Sequence, residues 1–374
     1  MITPIRQKAI GDILKNIKHP SELKVGGCVC VCNGVACDCD CTVDGHCTCD
    51  CGTGDDGRCR CDCKKPEKPE ERRVLKAVLS VLLLLTVLQG SGMRAQNGGE
   101  QLVMTFEIGQ AQVSVLSEEQ RSGRVDALTG ATPQMIQTHV PDGSYPSAVN
   151  AFLVRMPDRN ILVDAGYGRK LFDHLDALDV EPGDIHAVLL THLHGDHIGG
   201  MLRDGKAAFP HADIYLSQPE YDYWTGNRSA QALPAQKVIE VYRDRLHLFV
   251  PADLPDSGAS AGPALLLPGV QGIAAYGHTP GHTAYLFESG GARLLVWGDL
   301  THAMRIQMPC PGVTYARDTD TEQSVATRRR ILSYVAEKNI PIAGMHIAFP
   351  GMGNVVSAGN DSYAFEPYCL CLGI

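Results

Sequence analysis

Thr191–Gly200 reads THLHGDHIGG, and four residues able to bind a metal, His192, His194, Asp196 and His197, fall within six consecutive positions of it. Imidazole nitrogen and carboxylate oxygen are ligands that zinc accepts at about 2.0–2.2 Å. Just upstream, Ile185–Leu190 (IHAVLL) is a short apolar run of the kind that forms a buried strand. Carrying its extended geometry a little further sends His192 and His194 to one side, because side chains alternate along a strand. Gly195 then lets the backbone turn sharply. Asp196 and His197 follow beyond that turn, aimed at a second point nearby, and Gly199-Gly200 leave room for close packing. One loop at the end of one strand can therefore serve two metal ions.

The remaining ligands are sought at other strand ends. Gly277–Thr283 (GHTPGHT) follows the predicted strand Ile273–Tyr276 and has the Gly/Pro content of a fixed loop. One of its histidines, His278 or His282, is expected to face the metals. In Trp297–His302 (WGDLTH), Asp299 stands just past the apolar run Leu294–Trp297, a suitable place for a carboxylate shared by two cations. Pro341–His346 (PIAGMH) is a short strand that ends in His346.

Around these loops the spacing predicts strands at Leu102–Ile108 and Ala111–Leu116, joined at Gly109-Gln110, and at Ala151–Met156 and Ile161–Val163 across Pro157-Asp158. Asp213–Ser217 and Ala284–Phe287 are further strands. Helices are expected over Lys170–Leu178, Gln218–Trp224, Ala235–Arg245 and Thr321–Lys338, the last with Val325, Ile331, Tyr334 and Val335 on its inner side. Strand pairs come first and last with helices between. That order argues for sheets packed together with helices outside.

The chain has 374 residues and a formal net charge of -9, which gives no basic footprint for nucleic acid. Four segments are distinguished: a leader-like polar stretch at 1–27, a Cys-rich region at 28–66, a linker with an apolar run at 67–95, and one domain at 96–374. Of the 15 cysteines, all but Cys310, Cys369 and Cys371 lie between Cys28 and Cys63, in four CxCxC clusters. With almost no large apolar residues there, order has to come from disulfides or bound soft metal ions. Arg72, Arg73 and Lys76 flank the apolar run Ala77–Leu88, and small residues follow it, which is the plan of a secretory signal peptide. The run is too short to span a membrane, which takes roughly 20 residues. A periplasmic or secreted protein is expected, with translation starting near Val74 and residues 1–70 a misassigned or fused upstream peptide; the alternative is a genuine fusion whose apolar run acts as an anchor. Cys369 and Cys371 are poorly placed to bridge to each other.

The order HxHxDH, GHTPGH, GD and a final His resembles the metallo-β-lactamase superfamily, over roughly Phe106–Pro367. The resemblance implies an α+β fold, a four-layer αββα sandwich, holding two zinc ions, with iron or manganese as the alternative. It implies His192, His194 and His282 on the first zinc, and Asp196, His197 and His346 on the second. Asp299 would bridge, with Asp196 and Asp299 as the catalytic carboxylates. Asp164 in LVDAG would support the site from behind, and His278 and His302 would do the same or have no role. The stretches DGKAAFPHADIYLSQPEYDYW, WGDLTH, ATRRRIL and HIAFPGMGNV are similar to the methyl parathion hydrolase-like group.

The implied reaction is attack of a metal-bridging hydroxide on an ester, lactone or phosphotriester. The alternatives are a β-lactam hydrolase, a glyoxalase-II-type thioesterase, an iron persulfide dioxygenase of the same fold, and a non-catalytic metal-binding protein. The expected partner is a small-molecule substrate, without nucleic acid or a stable membrane anchor after processing, and with a homodimer as an option. Phe152, Trp224, Phe349 and Met352 are expected to form an apolar pocket wall.

Overall fold

The computed structural model describes residues 28–32, 35–39, 102–255 and 265–368. The leader-like stretch, the linker, the signal-like run, most of the Cys-rich region, and Cys369 and Cys371 lie outside the described residues. The chain divides into two compact units, residues 1–99 with 369–374, and residues 100–368. In the first unit, Cys28–Cys32 pairs antiparallel with Val35–Cys39, so that Cys28 lies opposite Cys39 and Cys30 opposite Cys37.

The second unit carries two sheets. The first contains β1 (Val103–Ile108), β2 (Ala111–Arg124), β3 (Ser144–Met156), β4 (Arg159–Val163), β5 (Ile185–Leu189), β6 (Asp213–Ser217) and β7 (Leu246–Phe249), adjacent in chain order. Neighbours are antiparallel as far as β4, and β4 to β7 run parallel. The second contains β8 (Val270–Ala274), β9 (Thr283–Ser289), β10 (Ala292–Val296), β11 (Ile342–Ala343), β12 (Met352–Gly359) and β13 (Ser362–Pro367), again in chain order. Its neighbours are antiparallel except for β10 and β11.

Three apolar clusters define the layers. Val113, Val115, Phe152, Val163 and Leu189 of the first sheet pack against Tyr285, Phe287, Val296 and Met352 of the second. On the outer face of the first sheet, Leu153, Val188 and Ile214 meet α1 (Leu171–Ala177), α2 (Gln218–Gly226) and α3 (Leu233–Tyr242) through Leu171, Leu175, Trp224, Val238 and Tyr242. On the outer face of the second, Leu286, Leu295 and Trp297 meet α4 (Thr321–Lys338) through Ile331, Leu332 and Val335. Helix, sheet, sheet, helix is thus the layer order. Among the described residues no helix is long and apolar enough to cross a membrane.

Two expectations need correction. Val325 of α4 is only partly buried, and the inner face is instead completed by Ser324, Thr327 and the fully buried Arg328. Strand β2 does not end at Leu116. It bulges between Ser117 and Glu119 and runs on, paired with β3, as far as Arg124. The extension SEEQRSGR has no apolar alternation, so the ladder of backbone hydrogen bonds and not an oily face holds it extended. Here the Tyr145 ring lies over Gly123, where an added Cβ would come within 2.2 Å of it.

Candidate metal centre

The functional side chains stand where strands end. After β5, an extended stretch carries His192 and His194, and a short helical turn, Gly195–Ile198, then presents Asp196 and His197. The sharp turn expected at Gly195 is therefore the first residue of a helical turn. His192 Nε2 and His194 Nδ1 lie 2.9 Å apart. His278 Nε2 lies 3.1 Å from His194 Nδ1 and 3.2 Å from Asp299 Oδ2. His192, His194, His278 and Asp299 thus form one group of atoms able to surround a metal ion, and Asp196, His197 and His346 form another. Asp299 lies between them. Its Oδ2 is 3.1 Å from His346 Nε2, and its Oδ1 is 3.2 Å from His197 Nε2. His302 Nε2, 3.0 Å from Asp299 Oδ2, joins a third group with Asp299 and His346.

His282, expected as the third ligand of the first zinc, is not in any of these groups, and its neighbour His278 stands in the first of them. The reason is visible in the ring contacts. His282 Nδ1 donates to the Ala275 carbonyl at 2.7 Å, which leaves Nε2 as the acceptor for the Asp299 N–H at 2.9 Å. Both nitrogens are engaged. The ring sits so tightly against Gly298 that a Cβ there would come within 2.3 Å of Nε2. His278 instead donates its Nδ1–H to Asp318 at 2.9 Å and leaves Nε2 for the cluster.

Three more histidines of the groups follow the same pattern. His197 Nδ1–H donates to Asp164 at 2.7 Å, His346 Nδ1–H to the Ala148 carbonyl at 2.8 Å, and His192 Nδ1–H to Thr191 Oγ1 at 3.1 Å. Such bonds fix the tautomer and aim of an imidazole that binds metal. Asp164 also accepts the Thr191 N–H at 2.8 Å and the Thr191 hydroxyl at 2.6 Å, so one buried carboxylate holds both His197 and the start of the metal loop.

Glu220, fully buried on α2, ties the two histidine loops together. It accepts from Leu193 N at 3.0 Å in one loop, from Thr279 Oγ1 and Gly281 N at 2.6 and 3.1 Å in the other, and from Trp224 Nε1 at 2.6 Å. Glu118, buried at the β2 bulge, accepts four backbone N–H groups between Tyr167 and Leu171. Arg328 reaches from α4 to the carbonyls of Leu300, Pro311 and Val313 and so fixes the loop after Asp299. None of these supports was read from the sequence. Arg328 carried a signal, since it lies four residues after Ser324 and three before Ile331, on the buried face of its helix.

The electrostatics suit a cation. Burial, with repulsion from His278, brings His194 down to about 3. Burial and repulsion from His197 hold His192 well below the ordinary imidazole value. Burial alone would raise Asp299, but the imidazoles around it, His197 foremost, hold it well below the usual carboxylate range. His197 and His278 go the other way: although burial opposes it, Asp299 with Asp164 raises His197 well above the ordinary imidazole value, and Asp299 with Asp318 raises His278 to about 9, so a metal ion entering here would displace their protons. His197 Nε2 and Asp299 Oδ1 are buried without a hydrogen-bond partner. Ligand atoms about 2.1 Å from a tetrahedral zinc stand about 3.4 Å from one another, near the spacings found here. These residues therefore fit a metal pair.

The cavity above the cluster has a volume of about 120 Å³ and is polar. The expected apolar wall is not there. Phe152 and Met352 are fully buried between the sheets, Trp224 is buried in the outer core, and Phe349 does not line the cavity. Its walls are instead Arg121, Tyr145 and Tyr167 on one side and Tyr315 and Arg317 on the other.

The sequence profile of the Metallo-beta-lactamase superfamily matches residues 144–341. The chain belongs to that superfamily, and its fold and site are those of a metal-dependent hydrolase. The structure is similar to that of AidC, a dizinc quorum-quenching lactonase in complex with a product, with a TM-score of 0.64 at 24% identity over 72% of this chain and 99% of that one. Protein YobT of Bacillus subtilis (strain 168), of uncharacterized function, is 29% identical over 152 residues, 40% of this chain and 61% of its own length. An atrochrysone carboxyl ACP thioesterase of Aspergillus chevalieri is 36% identical over 95 residues, 24% of this chain and 30% of its own length. The chain therefore spans less than two thirds of either of these curated relatives.

Proposed function

We propose that the protein is a dinuclear zinc hydrolase acting on an ester, lactone or phosphotriester. The observation that carries this reading is the convergence of His192, His194, His278, Asp299, Asp196, His197 and His346 from separate strand ends into adjoining groups. Two bound zinc ions would supply a water of lowered pKa and Lewis acidity toward the scissile group. The protein's own contribution is placement. Asp299 faces both groups and sets their separation, and Asp196, partly open to the cavity, is placed to hold the attacking water's proton. Asp164, Asp318 and the Ala148 carbonyl keep the imidazoles aimed, and burial of the floor excludes bulk water.

Within the superfamily we place the chain with the methyl parathion hydrolase-like group, on WGDLTH and HIAFPGMGNV. The partial likeness to a thioesterase favours a carbonyl centre over phosphorus. The signal-like run supports export to the periplasm or medium, and the intact mass of the natural product tests this. A mass that retains the run would defeat it.

The test of function is metal analysis of the purified full chain, together with hydrolysis of an aryl ester, an acyl-homoserine lactone, a phosphotriester and a β-lactam. Two zinc ions per chain and chelator-sensitive turnover of one of the first three substrates is the expected result. One iron per chain without hydrolysis would overturn it.

A further inference from the structure

Arg121 and Arg317 come from distant parts of the sequence and line one cavity with the residues of the metal cluster. Arg121 stands on β2 beyond its bulge, opposite Ser147 of β3. Arg317 follows Thr314–Tyr315, a two-residue strand that pairs with Leu128–Thr129. Both residues line the cavity, together with Tyr315.

Neither is consumed by the protein. Arg121 donates to Tyr167 Oη at 3.3 Å. Its Nη2 also lies 3.4 Å from His346 Nδ1, but that nitrogen gives its own proton to Ala148 and has no lone pair left to accept with. A guanidinium carries five N–H donors in a rigid fork, so most of those on Arg121 remain for a ligand. Among the described residues, no carboxylate forms an ion pair with Arg121 or Arg317. Asp196 and Glu119 act on Arg121 only from a distance.

The rest of the lining agrees. Outside the metal cluster it consists of Gly123, Ser147 and the three tyrosines, with no aliphatic side chain. A long acyl chain gains little from such walls, whereas a carboxylate gains two fork-shaped cationic donors. The volume, about 120 Å³, corresponds to roughly four water molecules, enough for a compact polar group.

We propose that this rim recognises a carboxylate carried by the substrate close to its scissile carbonyl. The substrate class is then a small anionic ester, thioester or lactone, not a neutral triester or a long-chain acyl compound. This rests on the hydrolytic reading above and narrows it.

The experiment compares two esters on the metal-loaded full-length protein: mono(4-nitrophenyl) glutarate, which is anionic, and its methyl-capped diester, which is neutral. The native protein should favour the anion in kcat/KM. A charge-assisted hydrogen bond corresponds to a factor of about ten to a hundred, so the ratio of the two kcat/KM values should fall by at least about tenfold in Arg121→Gln/Arg317→Gln, mainly through KM. Arg121→Lys, which keeps the charge and loses the fork, should fall between. Metal content equal to native in each variant shows that the floor is intact.

Calorimetric titration with glutarate and with neutral glutaramide gives a second readout. Glutarate should bind more tightly than glutaramide, and the difference should vanish in the double variant. Equal use of the two esters by the native protein, or a preference that survives in the double variant, would overturn the proposal. If neither ester turns over, the hydrolytic reading fails, while glutarate binding still decides what the arginines recognise.

Discussion

At the floor of the cavity, histidines and aspartates stand on the ends of strands from both sheets, nearly all of them buried, and most imidazoles have one nitrogen tied to a carboxylate or carbonyl behind it. At the rim, Arg121 comes from the β2 extension, Tyr145 from the start of β3, Tyr315 from a two-residue strand, and Tyr167 and Arg317 from loops, and among the described residues no carboxylate pairs with either arginine. Most polar atoms of the floor are hydrogen-bonded or belong to the metal-binding groups. The rim borders water, which satisfies its polar groups, so its side chains are free to choose among ligands. The difference separates two properties of one pocket. On the reading proposed above, the floor would carry the chemistry and the rim would select the substrate.

That division is open to attack at several depths. The deepest is Asp299, which faces both metal groups. Asp299→Ala should lower turnover by more than about 100-fold, the upper end of what supporting partners cost, and should reduce metal content. Full activity with both metals retained would remove Asp299 from the centre.

The two histidines of one loop come next. His278→Ala should lose close to one metal equivalent, whereas His282→Ala should retain both metals and lose turnover only through a shifted Asp299 backbone. Metal analysis of the pair decides, and the reverse outcome would restore His282 as the ligand.

One layer back, Asp318→Asn removes the carboxylate that aims His278, and about a 10- to 100-fold loss in metal affinity or activity is expected. Competition with a chelator of known affinity measures the affinity directly. Native affinity would show that His278 needs no such support.

The smallest effect on chemistry is expected at Arg328, which holds the loop after Asp299 and not Asp299 itself. Arg328→Met removes the donor to the Leu300 and Pro311 carbonyls, while Gln307 still donates to that of Val313, and a buried carbonyl left without a donor costs about 1–3 kcal/mol. Chemical denaturation should show lower stability, with metal content unchanged. A variant as stable as native would mean that the loop finds other partners.

Much of the floor was legible in the sequence because its residues are clustered by type and preceded by apolar strands. THLHGDH, GHTPGH, WGDLTH and PIAGMH each announce a strand end with a ligand on it. The elements feeding them were legible for the same reason. Asp213–Ser217 and Thr321–Lys338 fall where the apolar spacing puts them. The supports were not legible. Glu118, Glu220 and Asp318 are single acidic residues in polar surroundings, and nothing local distinguishes a carboxylate that will be buried under four N–H groups from one that will face water.

The sequence by itself determined the set of ligand types, their order, and the layered sheets that carry them, because these follow from local periodicity and from loops long enough to hold several ligands at once. Only the tertiary structure distinguishes the surroundings of His278 and His282. The two lie four residues apart on one loop, and their rings are sorted by groups far away in sequence, the Asp299 N–H that occupies His282 and the Asp318 carboxylate that aims His278. It alone decided the rim as well. Arg121 and Arg317 come to line one cavity only because a polar strand extension and a loop from the other half of the chain fold over the same cluster, and no local pattern in either segment records that.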